Sequence, residues 1–177
     1  MLTRVRRGRA VIGGAALVVV VVIATGLWPS SWLVVRDAAG LRYAFVVDEG
    51  ARFSLAWRHS VEQEDWIETF SIRDGAIVLV ETRFKTFGAG VPAQVGRRTT
   101  LENGWVVMDG IDRVVDPYAV QAAAAENYRM RRGNSRWFAL STESAAPILR
   151  FAVIRAPLVA MIGGVVRAWR APAAGLP

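Results

Sequence analysis

One stretch, His59 to Arg83, carries the residues best suited to chemistry: the only histidine of the chain, His59, followed by Ser60, Glu62, Glu68, Glu81 and Arg83. An imidazole with two carboxylates, His59 with Glu68 and Glu81, has the ligand types for zinc or manganese, and three protein ligands suffice for such a site. Arg83 counts against it, because it puts a fixed positive charge in or near the same shell. Ser60 beside His59 suggests a nucleophile and its base, but neighbours on a strand point to opposite faces, so His59 cannot readily take the Ser60 proton. We therefore expect no enzyme. The remaining reading is structural: a buried histidine hydrogen-bonded to a carboxylate, with Glu81 paired to Arg83. Just downstream, Phe87-Gly-Ala-Gly-Val-Pro92 places Gly88 and Gly90 where a backbone can accept unusual conformations and aim N–H groups at an anion, unless it is a plain turn ended by Pro92. These residues specify no cofactor.

Strands must position them. In Phe53 to His59 the residues Phe53, Leu55, Trp57 and His59 alternate with smaller or polar ones, and Trp66, Glu68, Phe70 and Ile72 do the same in the next run. A four-residue loop at Glu62 to Asp65 would set Leu55 opposite Ile72, Trp57 opposite Phe70 and His59 opposite Glu68. Asp74-Gly75 is a two-residue turn signal that would set Ile72 opposite Ile77, Phe70 opposite Leu79, Glu68 opposite Glu81 and Trp66 opposite Arg83. His59, Glu68, Glu81 and Arg83 would then gather at one end of a sheet face. A one-residue slip would scatter them.

With 177 residues, 53% hydrophobic, there is room for one ordinary domain and a membrane segment. The absence of cysteine excludes disulfides, thiolate metal sites and thiol nucleophiles. The net charge of +7 invites a nucleic-acid reading, yet Arg4, Arg6, Arg7 and Arg9 supply four of those charges ahead of an uncharged run, Ala10 to Trp28. Nineteen residues of helix span about 28 Å against a hydrocarbon core of about 30 Å. We read residues 10–28 as a transmembrane helix, with residues 1–9 a cytoplasmic basic N-terminus and the rest in the periplasm by the positive-inside rule. The localisation is then the bacterial inner membrane, single-pass, with no nucleic acid to meet. A cleaved signal peptide competes, since Ala24-Thr25-Gly26 is a tolerable site, but the apolar run exceeds the usual length of about 7–15 residues. Trp28 and Trp32 fit an interfacial aromatic belt or a packing role on the domain.

Residues 29–40 read as a linker and 41–156 as the domain, whose first strand is Leu41 to Val47. Gln94 to Asn103 reads as an exposed connection, Trp105 to Met108 as a short strand before an Asp109-Gly110 turn, and Ile111 to Tyr118 as a strand broken by Pro117. Alanine-rich Ala119 to Arg129 is expected to be the one soluble helix, ending in a solvated basic patch of Arg129, Arg131, Arg132 and Arg136. Arg136 to Leu140 and Ile148 to Arg155 have strand character. Residues 157–177 form an apolar and basic C-terminal segment, a packed or interfacial helix rather than a second span. The expected class is mainly β, a small antiparallel sheet or sandwich with one soluble helix after the membrane anchor.

His59-Ser60-Val61-Glu62, then Glu68, Asp74-Gly75, Glu81 and Phe87-Gly-Ala-Gly-Val-Pro92 resemble a bacterial family known as domain-of-unknown-function family 1850, over about Leu41 to Asp116. The resemblance implies small membrane-anchored proteins often encoded beside tripartite (TRAP) transporters of the TAXI type, and no established activity. It places emphasis on His59, Ser60, Glu62, Glu68, Glu81, Gly88, Gly90 and Pro92. The expected function is a non-catalytic periplasmic accessory whose partner is the transporter's permease or its substrate-binding protein. The alternative is a periplasmic metal- or small-ligand-binding protein independent of transport.

Overall fold

A computed structural model describes residues 26–88, 94–140 and 146–170 of the chain. The expected membrane helix lies almost wholly outside these residues, as do Gly90 and Pro92. Among the described residues no helix is long and apolar enough to cross a membrane.

Among the described residues, eleven strands and the α-helix at 158–170 build three layers. A four-stranded antiparallel sheet has the order β2 (Gly40–Val46), β1 (Pro29–Asp37), β11 (Ile148–Pro157), β8 (Tyr118–Gln121). A seven-stranded antiparallel sheet has the order β10 (Phe138–Ala139), β9 (Arg129–Arg132), β3 (Arg52–Arg58), β4 (Asp65–Arg73), β5 (Ala76–Phe84), β7 (Trp105–Val114), β6 (Arg98–Glu102). The two sheets bury alternate positions against each other. Leu33 and Val35 of β1, Phe45 of β2 and Phe151 of β11 meet Phe53, Leu55, Phe70, Ile72, Ile77 and Leu79, with Phe53 stacked between Phe70 at 4.9 Å and Phe151 at 6.1 Å. The opposite face of the small sheet carries Trp32, Val34 and Ala44, which helix α1 (Leu158–Arg170) covers with Met161 and Val165. Gly164 sits directly on the Ala44 backbone, a close approach that a Cβ at 164 would obstruct.

Several expectations are corrected. Pro29–Asp37 is no linker but a central strand, because its alternation Trp32, Val34 against Leu33, Val35 lets it serve the cores on both sides of the small sheet. Trp32 accordingly packs beneath α1, and its indole N–H donates to Ala156 O at 2.8 Å, whereas Trp28 is exposed. Ala119 to Arg129 is not a helix: it ends β8, passes through one 3₁₀ turn at Ala124–Glu126 and starts β9. Alanine's propensity, at most a few tenths of a kcal/mol per residue over ordinary residues, yields to strand pairing of Val120 with Leu149 and Met130 with Leu55. The exposed connection contains β6, which a two-residue Asn103-Gly104 turn folds back onto β7; both residues have positive φ, 51° and 79°, as do Asp74 and Gly75 in the β4–β5 hairpin. Asp109-Gly110 is no hairpin turn but an irregularity within β7.

Candidate functional site

The β3–β4 connection is wider than a four-residue loop. His59 N–H donates to Glu64 O at 2.8 Å and Gln63 N–H to His59 O at 2.9 Å, while Gln63 takes a positive φ of 56°. Inside that loop the Glu62 N–H donates to His59 Nδ1 at 3.2 Å, so the neutral ring carries its proton on Nε2. Residues 59–64 are consumed by the loop, and the register is shifted by four from the expected one: Leu55 faces Glu68, Trp57 faces Trp66, Phe53 faces Phe70. An even shift keeps the inward sets intact but moves His59 away from Glu68. His59 instead stacks on Trp66 at 5.5 Å, at the end of an aromatic row continuing through Trp57 to Tyr128.

The second motif loop meets the first. The Glu62 side chain lies over Gly88, in the space a Cβ there would fill, and accepts a hydrogen bond from Thr86 Oγ1 at 3.2 Å; Lys85 pairs with Glu64 at 3.2 Å. His59, Ser60, Glu62 and Gly88 are therefore one structural unit at the end of β3, β4 and β5. Its crevice, lined by His59, Glu62, Trp66 and Thr86, measures about 10 Å³, room for about one water molecule. Val61 and Phe87 lie in the two loops, 64% and 60% exposed.

Glu68 belongs elsewhere. It points between the two sheets, where Tyr118 of β8 donates its hydroxyl to Glu68 Oε2 at 2.8 Å. Burial raises the Glu68 carboxyl above its ordinary range, opposed by the Tyr118 hydrogen bond and by Arg113. Burial also raises the Tyr118 and Tyr128 hydroxyls, and Glu68 adds to both shifts.

Glu81 and Arg83 lie on the outer face of the large sheet. The β4–β5 pairing matches expectation at Ile72 with Ile77 and Phe70 with Leu79, then shifts by one, giving Thr69 with Glu81, Glu68 with Thr82 and Ile67 with Arg83. That bulge turns Thr82 inward, where its hydroxyl accepts the Trp66 indole N–H at 2.7 Å, and turns Glu81 and Arg83 outward. The two pair at 2.6 Å, and that hydrogen bond raises the Arg83 pKa. Beside them Arg131 lies over the Trp137 ring at 4.7 Å, its pKa lowered by burial and by Arg83. The anticipated solvated patch is thus dispersed: Arg129, 2% exposed, is ion-paired with buried Asp65 at 2.7 Å, and Arg132 lies over Phe45 at 4.7 Å.

Of the expected set, His59, Ser60, Glu62 and Gly88 come together, Glu68 is in the interior, and Glu81 with Arg83 is on the outer face. The four-residue cluster does not form, and among the described residues no group of three His, Asp or Glu side chains is arranged to hold a metal ion. Tyr118 and the Asp65–Arg129 pair were not legible beforehand, since their partners are 50 and 64 residues apart in the chain. Val61 and Phe87 do lie within the motifs, but only their exposure marks them.

No curated protein and no solved structure matches this chain. A match to a family model begins at residue 53 and extends to 138, past the anticipated limit at Asp116, so that it takes in β8, β9 and the arginines of the outer sheet face. Residues 53–138, which contain both motif loops, match the model of the family described as a domain of unknown function (DUF1850).

Proposed function

We propose that this chain is a membrane-anchored accessory protein whose periplasmic domain docks a component of a TAXI-type TRAP solute transporter, the permease or the substrate-binding protein, through its two motif loops. The observation that carries the reading is the convergence of the His59–Glu64 and Lys85–Gly88 loops around the Glu62–Gly88 contact, with Val61 and Phe87 exposed and, among the described residues, a water-sized crevice between them. Exposed apolar side chains on a pinned loop pair suit protein contact better than the enclosure of a substrate. The arginines before the uncharged run supply the reason for an inner-membrane anchor, and the transporter is named by family resemblance.

A pull-down of the tagged full chain from native membranes tests this. The wild type should co-purify a transporter component, and Val61→Asp combined with Phe87→Ala should lose it with the fold kept, the lost edge contact of Phe87 on Phe84 at 5.1 Å lowering the melting temperature only slightly. Retention of the same partner by the double variant would remove the loops from the interface.

One observation favours a second reading, a small-ligand-binding protein acting apart from transport. A groove of about 430 Å³ opens between β2, β10 and α1, lined by Phe45, Val46, Phe138, Leu158 and Val165 with Arg132 on its wall. Its size lies within the range of small-molecule sites.

A further inference from the structure

Helix α1 poses a problem of cover. Its first nine residues, Leu-Val-Ala-Met-Ile-Gly-Gly-Val-Val, contain no polar side chain. Met161 and Val165 are occupied by the small sheet and Leu158 stands at the groove beside them, while Val159, Ile162 and Val166 point outward, Ile162 with 59% of its surface exposed. A helix apolar on all sides requires apolar surroundings on both faces. The outward stripe does not end with the helix: Gly26 lies beside it, where an added Cβ would come within 3.7 Å of Val159, and the adjoining Leu27 and Trp28 are also exposed, Trp28 to 72%. Of the basic residues nearby, Arg155 alternates with Ile154 and Ala156, which face α1, Arg167 donates to the Leu41 and Arg42 carbonyls, and Arg170 stands exposed in the last turn.

We propose that the outward face of α1, together with Leu27 and Trp28, rests in the interfacial layer of the bilayer that holds the anchor, against anionic phospholipid headgroups. Two observations name this occupant. The uncharged run of residues 10–25 is joined to the domain at Gly26, close beside Val159, so an anchor built from it leaves the membrane beside this stripe. The stripe has the composition of an in-plane interfacial helix, apolar with tryptophan on one side and ended by exposed Arg170 rather than by an acidic residue. At 13 residues, α1 is about 20 Å long and too short to span.

The proposal rests on the anchored reading above and adds an orientation to it. With α1 on the membrane, the small sheet is the next layer and the large sheet the farthest, at about 10 Å per layer. The motif loops belong to the large sheet, so they stand about 20 Å above the lipid surface, within reach of a water-soluble binding protein rather than the buried flank of a permease.

The absence of cysteine allows a clean test. The full chain carrying Ile162→Cys, or separately Thr100→Cys on β6, is labelled with an environment-sensitive fluorophore and reconstituted into phosphatidylcholine vesicles with phosphatidylglycerol. Quenching by a nitroxide carried on the lipid near the headgroup should be several-fold stronger at 162 than at 100, and aqueous iodide should show the reverse order. Equal lipid quenching at the two sites would overturn the proposal. So would a label at 162 shielded from iodide yet untouched by the lipid nitroxide, which would mean that protein covers the stripe. Alkaline carbonate extraction of the same vesicles separates the two layers of the argument. Release of the chain defeats the anchor itself and the orientation with it, whereas retention without quenching at 162 defeats only the placement of α1.

Discussion

The Glu62 carboxyl occupies the space that a side chain on Gly88 would need, and this contact joins two loops that are separate in the chain. Gly88→Ala should displace the end of a flexible side chain and release Thr86, at a cost of about 1 kcal/mol or less. Glu62→Ala should release the same hydrogen bond. Because one contact underlies both, the double variant should unfold at the same denaturant concentration as the worse single variant, as read by chemical denaturation. Full additivity would mean that the loops are held together by something else.

The Asp65–Arg129 pair predicts a large effect. Asp65→Ala leaves the Arg129 guanidinium buried without its carboxylate and should cost about 3–5 kcal/mol. Urea titration followed by tryptophan fluorescence measures it. A loss below about 1 kcal/mol would place the pair among solvated surface bridges.

Glu68 predicts a dependence on pH. Its folded pKa is raised above the ordinary value of 4.5, so the folded state binds the proton more tightly than the unfolded state. Its contribution is fully present below the unfolded pKa and declines as pH rises toward the folded one. Glu68→Gln keeps an acceptor for Tyr118 and removes the ionisation. The variant should match the wild type in melting temperature near pH 4 and exceed it at pH 7 to 8. Parallel curves would contradict the burial of the charge.

His59 and Glu81 share no partner and lie at different places on the large sheet, one in a loop and one on the outer face. His59→Gln and Glu81→Gln should therefore add to within about 0.5 kcal/mol in stability. A coupling well above that, measured by a double-mutant cycle, would restore the shared cluster expected from the strand register.

Topology is testable with reporter fusions. A fusion after Pro177 should be active in the periplasm, as should one after Asn103. Cytoplasmic activity at Pro177 alone would require a second span and would contradict the packing of α1 on Ala44.

The alternation in Phe53 to Trp57 and Trp66 to Ile72, with the Asp74-Gly75 turn, by itself determined three antiparallel strands and which residues face inward. The motifs at His59 and Gly88 were equally visible, because strand faces and turn chemistry are local properties. Two decisions belonged to tertiary structure alone. The length of the β3–β4 loop depended on hydrogen bonds between His59, Gln63 and Glu64, which no periodicity encodes, and it separated His59 from Glu68. The bulge beside Thr69 depended on Thr82 reaching the Trp66 indole inside, and it sent Glu81 and Arg83 to the other face. A helix was expected at Ala119 to Arg129 because alanine is a strong local helix former. The strands found there exist because Val120 and Met130 gain more from burial between the sheets than propensity supplies, and burial is fixed by residues far away in the chain.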